Sequence, residues 1–227
     1  MTAEPLNKDL AYDSLVDLIV RGEINETETL SERSLSERLG FGRTPIREAI
    51  KDLVREGVLE SHPVRGTVLK GLDLTDLQDL YEIRFAIEGL AAFLAAERGP
   101  VEELYPIRDL LTTALREPGS VSAEEIHAVG VECHYIIVRL SGNARLVEMY
   151  RPFRIRFGGP FVLTPQSSRD RIVEAAREHL DIISAVIGRQ PEEARNLMCS
   201  HLRIGLEHRT NLLLKRSRYP QVVSTIR

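Results

Sequence analysis

The chain has 227 residues, which is enough for two domains, and only 5% of them are aromatic. Such a composition, without any tryptophan, favours packed helices over a sandwich of short strands. The two cysteines, Cys133 and Cys199, have no CxxC spacing, and neither a signal peptide nor an apolar run of about 18 residues occurs. We therefore expect a soluble, cytoplasmic protein with reduced thiols and no membrane partner.

The formal net charge of -4 is unusual for a protein that binds nucleic acid, because phosphates attract Lys and Arg. The average conceals a local excess of positive charge. Residues 33–70 contain eight basic and five acidic side chains, a net charge of +3. An acidic body beside a small basic patch would restrict DNA to one surface.

Three helices are predicted before residue 58. Apolar residues follow helical spacing over Asn7–Val20, and a short second helix begins after Thr29 and ends at Gly40. Pro45 suits the first turn of a third helix, which runs to Gly57. The apolar side chains expected to anchor the first helix are Leu10, Leu15, Leu18 and Ile19.

After the third helix the periodicity changes. Val58–Ser61 and Thr67–Leu69 are typical of two short strands around a turn. Three helices followed by a hairpin within about 65 residues are the arrangement of a winged helix-turn-helix. We assign residues 1–70 to this DNA-binding domain.

The remainder of the chain is predicted to be helical. Six helical segments separated by short Gly- and Pro-containing breaks occur between residues 72 and 215. Short loops between helices imply an antiparallel bundle. The sequence thus predicts a mainly α protein, with a second, all-helical domain at residues 71–227.

Arginines on the third helix are candidates for reading DNA. Arg43 and Arg47 are four residues apart and share a face opposite the apolar stripe. Arginine suits bidentate contact with guanine, and Thr44 can donate to a phosphate. Arg33 and Arg65 would flank the groove. The alternative is that these residues form a solvated basic face.

Four motifs stand in order along this region: Leu30–Gly40, Arg43–Ile50, Leu53–Leu59 and Arg65-Gly66. Together they closely resemble the DNA-binding domain of the GntR family of bacterial transcription regulators. The resemblance spans Leu6–Leu69 and implies DNA contacts by Arg33, Arg43, Thr44, Arg47 and Gly66, with Arg65 as a further candidate. Gly42 stands where the family usually has Ser or Thr, so a hydroxyl contact to phosphate is absent.

Three histidines fall on three different predicted helices. His134, His179 and His201 each lie near the apolar stripe of their helix and could converge inside a bundle. Three imidazoles suit Zn, Ni or a similar divalent ion and leave positions for water or an effector carboxylate. The alternative for each residue singly is a buried or capping histidine.

The second half contains a further set of ordered motifs: Tyr81–Arg84 with Glu88, His134 ahead of Ser141–Asn143, Glu178–Ile183 with Ala185, and Ala194 ahead of His201-Leu202. Over approximately Asp73–Leu214 these motifs resemble the FCD effector domain of the FadR-like branch of the GntR family. In metal-binding members the three matching histidines ligate the ion with an aspartate one helical turn before the first. That position here is Gly130, which cannot supply a ligand. Restoring a carboxylate by Gly130→Asp is expected to raise metal affinity.

Arg84 is our candidate for anchoring an anionic effector, since guanidinium binds carboxylate bidentately, and Asn143 is expected near the wall of the same pocket. A salt bridge with Glu88, four residues on, is the alternative role of Arg84. We expect a homodimer on a palindromic double-stranded DNA operator, because one recognition helix contacts too few base pairs for specificity.

A hydrolase and a structural DNA binder are the two alternatives to a regulator. A hydrolase could use a histidine-bound metal to activate water, but no familiar catalytic motif or obvious general base occurs. A structural DNA binder without an effector would not need a large helical domain with inward histidines. The sequence predicts a ligand-responsive regulator and not an enzyme.

Overall fold

The computed structural model describes residues 4–24, 28–158 and 168–218. This part of the chain is mostly helical, with one two-stranded antiparallel sheet, and it confirms the predicted fold class. The helices are α1 (Glu4–Val20), α2 (Glu32–Leu39), α3 (Arg43–Arg55), α4 (Leu74–Arg98), α5 (Leu104–Arg116), α6 (Ala123–Leu140), α7 (Ala144–Gly158), α8 (Arg169–Ile187) and α9 (Pro191–Arg218). The strands are β1 (Leu59–His62) and β2 (Gly66–Leu69).

The chain divides into two compact units. One comprises Met1–Gly71 with Arg151–Val162, and the other comprises Leu72–Tyr150 with Leu163–Arg227. The first unit thus contains the winged helix-turn-helix, and it also takes up the second half of α7. No helix in the described ranges is long and apolar enough to cross a membrane.

In the first unit, α1 packs against α3. Leu15 and Ile19 are fully buried, as their spacing predicts. Leu10 was expected beside them but is 47% exposed. The buried stripe instead uses Tyr12 and Val16, so it lies to one side of Leu10 on the helix surface.

Local signals fix the ends of α2. The hydroxyl of Ser31 accepts a hydrogen bond from the backbone N–H of Ser34 at 3.0 Å, which caps the first turn. Gly40 ends the helix in the left-handed conformation (φ 73°), which only glycine adopts without strain. The tight turn that follows leads directly into α3.

The recognition helix α3 is held by one buried stripe. Ile46, Ala49 and Leu53 are fully buried. Gly42 occupies its N-cap position and makes no side-chain cap hydrogen bond, in agreement with the missing hydroxyl noted in the sequence. The opposite face of α3 is therefore free to carry polar side chains.

The wing is a hairpin of two four-residue strands, in which Leu59 pairs with Leu69 and His62 with Gly66. Leu30 adds an isolated bridge to Thr67 and ties the segment before α2 to the hairpin. Leu59 and Leu69 are buried, so the base of the wing is anchored in the unit while its tip projects.

The second unit is built from antiparallel helices around one apolar core. Asp73, Ser122 and Ser168 each cap the helix that follows them. The long helices α4 and α9 pack together, and α8 packs against α5, α6 and α9. Leu104 and Ile137 are fully buried in this core. The arrangement brings α4 close to α6, α8 and α9, the three helices that carry the histidines.

Candidate functional site

The outward face of α3 is polar and accessible. Arg43, Thr44 and Arg47 are all exposed, on the side opposite the buried stripe of Ile46 and Leu53. Their placement in the first turns of the helix is where recognition helices contact base edges. A DNA-reading role for these three side chains remains a prediction.

Carboxylates accompany two of the candidate arginines. Arg47 donates from Nε and Nη2 to the two carboxylate oxygens of Glu32, at 2.8 and 2.9 Å. Arg33 donates from Nε to Glu37 at 3.0 Å, one turn further along α2. Glu32 lies 15 residues from Arg47 and on a different helix, so no spacing along the chain indicates this contact.

The wing tip carries the last two candidates. Arg65 is exposed, and its carbonyl oxygen accepts a hydrogen bond from the hydroxyl of Thr29 at 3.1 Å. Gly66 has a φ of 75°, and a Cβ there would approach Cγ2 of Thr29 to 2.8 Å. Gly66 is thus required by backbone conformation and close packing, whether or not it contacts DNA.

The three histidines do converge in the second unit. Nε2 of His134 lies 3.1 Å from Nε2 of His201 and 3.1 Å from Nε2 of His179. All three side chains are buried, and their ring centroids are 4.4 to 5.0 Å apart. Helices α6, α8 and α9 each supply one ring, which explains why only the tertiary structure assembles the cluster.

One buried and one half-buried carboxylate orient two of the rings. Nδ1 of His134 lies 2.5 Å from an oxygen of Glu88, and Nδ1 of His201 lies 2.6 Å from an oxygen of Glu178. Each Nδ1–H donates to its carboxylate, so each Nε2 presents a lone pair to the centre of the cluster. Arg84 neutralises Glu88 at 2.5 Å, and Arg171 neutralises Glu178 at 2.7 Å.

The electrostatics keep the rings neutral. Burial lowers the pKa of His134, with partial opposition from Glu88, and it lowers the pKa of His201 to about 4. Burial and the two neighbouring histidines hold the pKa of His179 well below its usual value. Burial raises the pKa of Glu88, but Arg84 and His134 outweigh this and bring it to about 2. The cluster therefore consists of neutral imidazoles beside ionised carboxylates.

This donor set fits a divalent metal ion. Zinc binds histidine nitrogen at about 2.0–2.1 Å, which places neighbouring ligand nitrogens about 2.9 to 3.4 Å apart. The 3.1 Å separations agree with that range. Without a cation, the lone pairs of His134 and His201 would face each other, since both Nδ1 protons are committed to carboxylates. The ligand atoms of the three histidines all lie within 4.8 Å of one another.

Gly130 has a structural role that the sequence did not reveal. A Cβ at this position would lie 2.8 Å from Cε1 and 3.1 Å from Nδ1 of His179. The ring of His179 therefore occupies the space that a side chain at position 130 would need. The substitution Gly130→Asp would shift the ring of His179 as well as add a carboxylate, and its effect on metal affinity stays a prediction.

Arg84 lies beside the cluster, with Nη2 3.5 Å from Nδ1 of His134, and forms the buried salt bridge with Glu88 that the i,i+4 spacing indicated. A second arginine, Arg209 on α9, lies nearby: the Cζ atoms of Arg84 and Arg209 are 5.0 and 5.9 Å from the centroid of the Tyr81 ring. Burial and the charge of Arg84 lower the pKa of Arg209. Both guanidinium groups thus lie near the ring of Tyr81, beside the histidines.

Asn143 has a local structural role. Its side-chain oxygen accepts from the backbone N–H groups of Arg145 and Leu146, at 3.1 and 3.4 Å. Asn143 thus caps the first turn of α7. A contact between Asn143 and an effector remains a prediction that this cap neither requires nor explains.

Comparison with known proteins agrees with this architecture. The model of the FCD domain matches residues 79–204, and that of the gntR family of bacterial regulatory proteins matches residues 7–69. The chain belongs to the GntR family. This GntR regulator therefore joins a helix-turn-helix to an FCD domain. Both matches correspond to the units in which the candidate arginines and the histidine cluster lie.

Relatives extend over most of the regulator. The Nta operon transcriptional regulator of Aminobacter aminovorans is 33% identical over 177 residues, which cover 77% of this chain and 81% of that protein. The HTH-type transcriptional regulator YdhC of Bacillus subtilis is 26% identical over 205 residues, covering 89% and 90%. The matching families and relatives are transcription regulators and not enzymes.

Solved structures share the fold. E. coli McbR/YncC superposes with a TM-score of 0.77 at 21% identity, covering 91% of this chain and 98% of that chain. A GntR regulator from Rhodococcus sp. RHA1 gives a TM-score of 0.72 at 17% identity, covering 90% and 97%. At such identities the likeness supports the fold alone.

Proposed function

We propose that this GntR regulator is a homodimer that binds a palindromic operator and changes its DNA affinity when a small anion binds its FCD domain. The proposal assigns DNA binding to residues 1–70 and effector binding to residues 71–227. A symmetric dimer doubles the readout of a recognition helix that alone contacts few base pairs.

In the DNA-binding domain, Arg43 and Arg47 would read base edges, and Thr44 would contact the backbone. Arg33 and Arg65 would contact phosphates on either side, with the backbone of Gly66 close to the wing tip. This division follows from position, since Arg43 and Arg47 project from the recognition helix, whereas Arg33 and Arg65 lie outside it.

One observation carries the effector proposal: three neutral imidazoles converge, with Nε2 of His134 3.1 Å from Nε2 of each of the other two. Carboxylates hold the Nδ1 atoms of two of the three rings. His134, His179 and His201 would hold a divalent ion such as Zn or Ni, with Glu88 and Glu178 fixing ring orientation. A bound ion would supply a Lewis-acidic centre that accepts a carboxylate oxygen.

Arg84 and Arg209 would balance the charge of the effector beside this centre. The guanidinium groups of Arg84 and Arg209 both lie near the ring of Tyr81 beside the histidines, at 5.0 and 5.9 Å from its centroid, and a guanidinium binds a carboxylate bidentately. We therefore propose a small carboxylate as the effector. An anion bound by these groups alone, without metal, is the second candidate, which the presence of the two arginines supports.

The test combines metal content with DNA binding. The purified protein is assayed for zinc and nickel before and after chelation, and its affinity for a duplex selected from random-sequence DNA is measured with mono-, di- and tricarboxylates. A carboxylate that shifts DNA affinity only in the metal-loaded protein supports the proposal. An equal shift after chelation supports the metal-free alternative, and no metal and no shift with any carboxylate would contradict both.

A further inference from the structure

We infer that Glu32 is a positioning residue for DNA recognition: its carboxylate holds the guanidinium of Arg47 in the orientation that reads a base. This inference rests on the proposed contact between Arg47 and a base.

The contact between Glu32 and Arg47 is bidentate and joins two helices. Nε of Arg47 lies 2.8 Å from Oε1 of Glu32, and Nη2 lies 2.9 Å from Oε2. Planar fork-to-fork contacts of this kind fix orientation as well as distance. The hydrogen bonds and charge of Arg47 lower the pKa of Glu32, so the carboxylate stays ionised.

Both partners are carried by well-fixed backbone. Glu32 is the first residue of α2, directly after the Ser31 cap, and the buried side chain of Leu35 anchors that helix in the unit. Arg47 follows the fully buried Ile46 on α3. The positions from which the two side chains reach each other are therefore set by the folded unit and not by the side chains.

The remaining donors of Arg47 have the geometry needed for guanine. Arginine has five N–H groups, and the contact with Glu32 uses those on the edge formed by Nε and Nη2. The edge formed by Nη1 and Nη2 stays available, and its parallel N–H groups match O6 and N7 of guanine. Glu32 thus occupies one edge of the guanidinium and presents the other.

The same carboxylate must weaken binding to arbitrary DNA, because it places a negative charge near phosphates. Glu32 also lies within electrostatic range of Arg43 and Lys51 on the recognition helix. Its removal should therefore have two opposite effects. Affinity for any duplex should rise, while discrimination at the base read by Arg47 should fall.

The experiment compares Glu32→Gln with Glu23→Gln in the full-length protein. Glu23 is an exposed carboxylate of the same unit, paired with Arg38 at 2.9 Å, so both variants lose one negative charge. Affinities are measured for a duplex that the wild-type protein selects from random-sequence DNA and for a scrambled duplex of equal length. Each base pair of the selected site is also substituted in turn.

We expect both variants to bind the scrambled duplex somewhat more tightly than the wild type. Only Glu32→Gln should lower the ratio of selected to scrambled affinity, by about 10-fold, at the position where Arg47→Ala also loses discrimination. The double variant should discriminate no worse than Arg47→Ala alone. An unchanged or higher ratio in Glu32→Gln would overturn the inference, because Glu32 would then act only as a charge or as a mask.

Failure of the proposed function has a different signature. A wild-type protein that selects no sequence from random DNA would contradict operator binding itself, before Glu32 enters the question. Both members of the ion pair are substantially exposed, at 52% and 37%, so its loss should leave the fold intact, which circular dichroism and thermal unfolding would verify.

Discussion

An oxygen of Glu88 lies 2.5 Å from Nδ1 of His134 and accepts a hydrogen bond from its N–H, so that Nε2 of the ring is turned toward His179 and His201. The carboxylate is fully buried, and it is ionised because Arg84 lies against it. Glu178 has the same relation to His201, with Arg171 in the place of Arg84. Two orienting carboxylates on α4 and α8 thus accompany the histidine cluster.

Removal of an orienting carboxylate should weaken metal binding without removing a ligand. We expect Glu178→Gln to lower metal affinity by about 10- to 100-fold, because the tautomer and orientation of His201 are no longer held. Glu174→Gln is a matched control: Glu174 lies one turn earlier on α8, contacts Arg171 at 3.6 Å and is largely exposed. Isothermal titration with zinc would give both affinities, and equal values would contradict the orienting role.

Substitution of Gly130 should disturb the cluster by displacing a ring. We expect Gly130→Ala to reduce metal retention, since its Cβ would lie 2.8 Å from Cε1 of His179. Gly130→Asp adds a carboxylate but causes the same displacement, so its metal affinity should not exceed that of the wild type. Elemental analysis and competition with a chelator test both variants. Higher affinity in Gly130→Asp would show that the ring of His179 yields at little cost.

Removing one partner of the buried ion pair between Arg84 and Glu88 should strongly lower the free energy of unfolding. Arg84→Met leaves the carboxylate of Glu88, which is 0% exposed, without its nearest cation and should cost about 3–5 kcal/mol in the free energy of unfolding. Arg84→Met with Glu88→Leu should recover much of that loss. Urea unfolding checks this, with the exposed Arg203→Met as control. A loss below about 1 kcal/mol in Arg84→Met would show that the buried carboxylate of Glu88 does not depend on Arg84 for its compensation.

Arginines of the recognition helix should affect sequence preference, and flanking ones only general affinity. Arg43→Ala or Arg47→Ala should cost about 1–3 kcal/mol per half-site and relax one base position, whereas Arg33→Ala or Arg65→Ala should weaken all duplexes alike and reduce the salt dependence. Arg55→Ala, at the far end of α3 and paired with Asp52, is the control. Fluorescence anisotropy at several salt concentrations measures both effects. Intact discrimination in Arg47→Ala would place that side chain among the phosphate contacts.

The proposed dimer predicts a symmetric footprint. Analytical ultracentrifugation should give about twice the mass of one 25.6 kDa chain, and hydroxyl-radical footprinting should protect two half-sites about one helical turn apart. Half-sites arise because two recognition helices related by a twofold axis contact successive major grooves. A monomer that protects an asymmetric site would contradict the proposal.

The sequence by itself determined the local structure. Ser31 and Gly40 bound α2, and the apolar spacing of α3 predicted which face is buried, because caps and helical periodicity depend on residues within a few positions of one another. The same short-range logic placed the three histidines on separate helices. It erred at Leu10, since periodicity alone does not tell which of two adjacent apolar stripes meets the core.

Only the tertiary structure decided which distant side chains meet. Glu32 reaches Arg47 from another helix, Glu178 reaches His201 across 23 positions, and His179 fills the space over Gly130. These contacts depend on helix packing to within about an ångström, and no pattern of spacing along the chain encodes that precision. The family's aspartate position could be located from the sequence. That a neighbouring imidazole occupies its space follows from packing alone, because a buried volume holds only one side chain at a time.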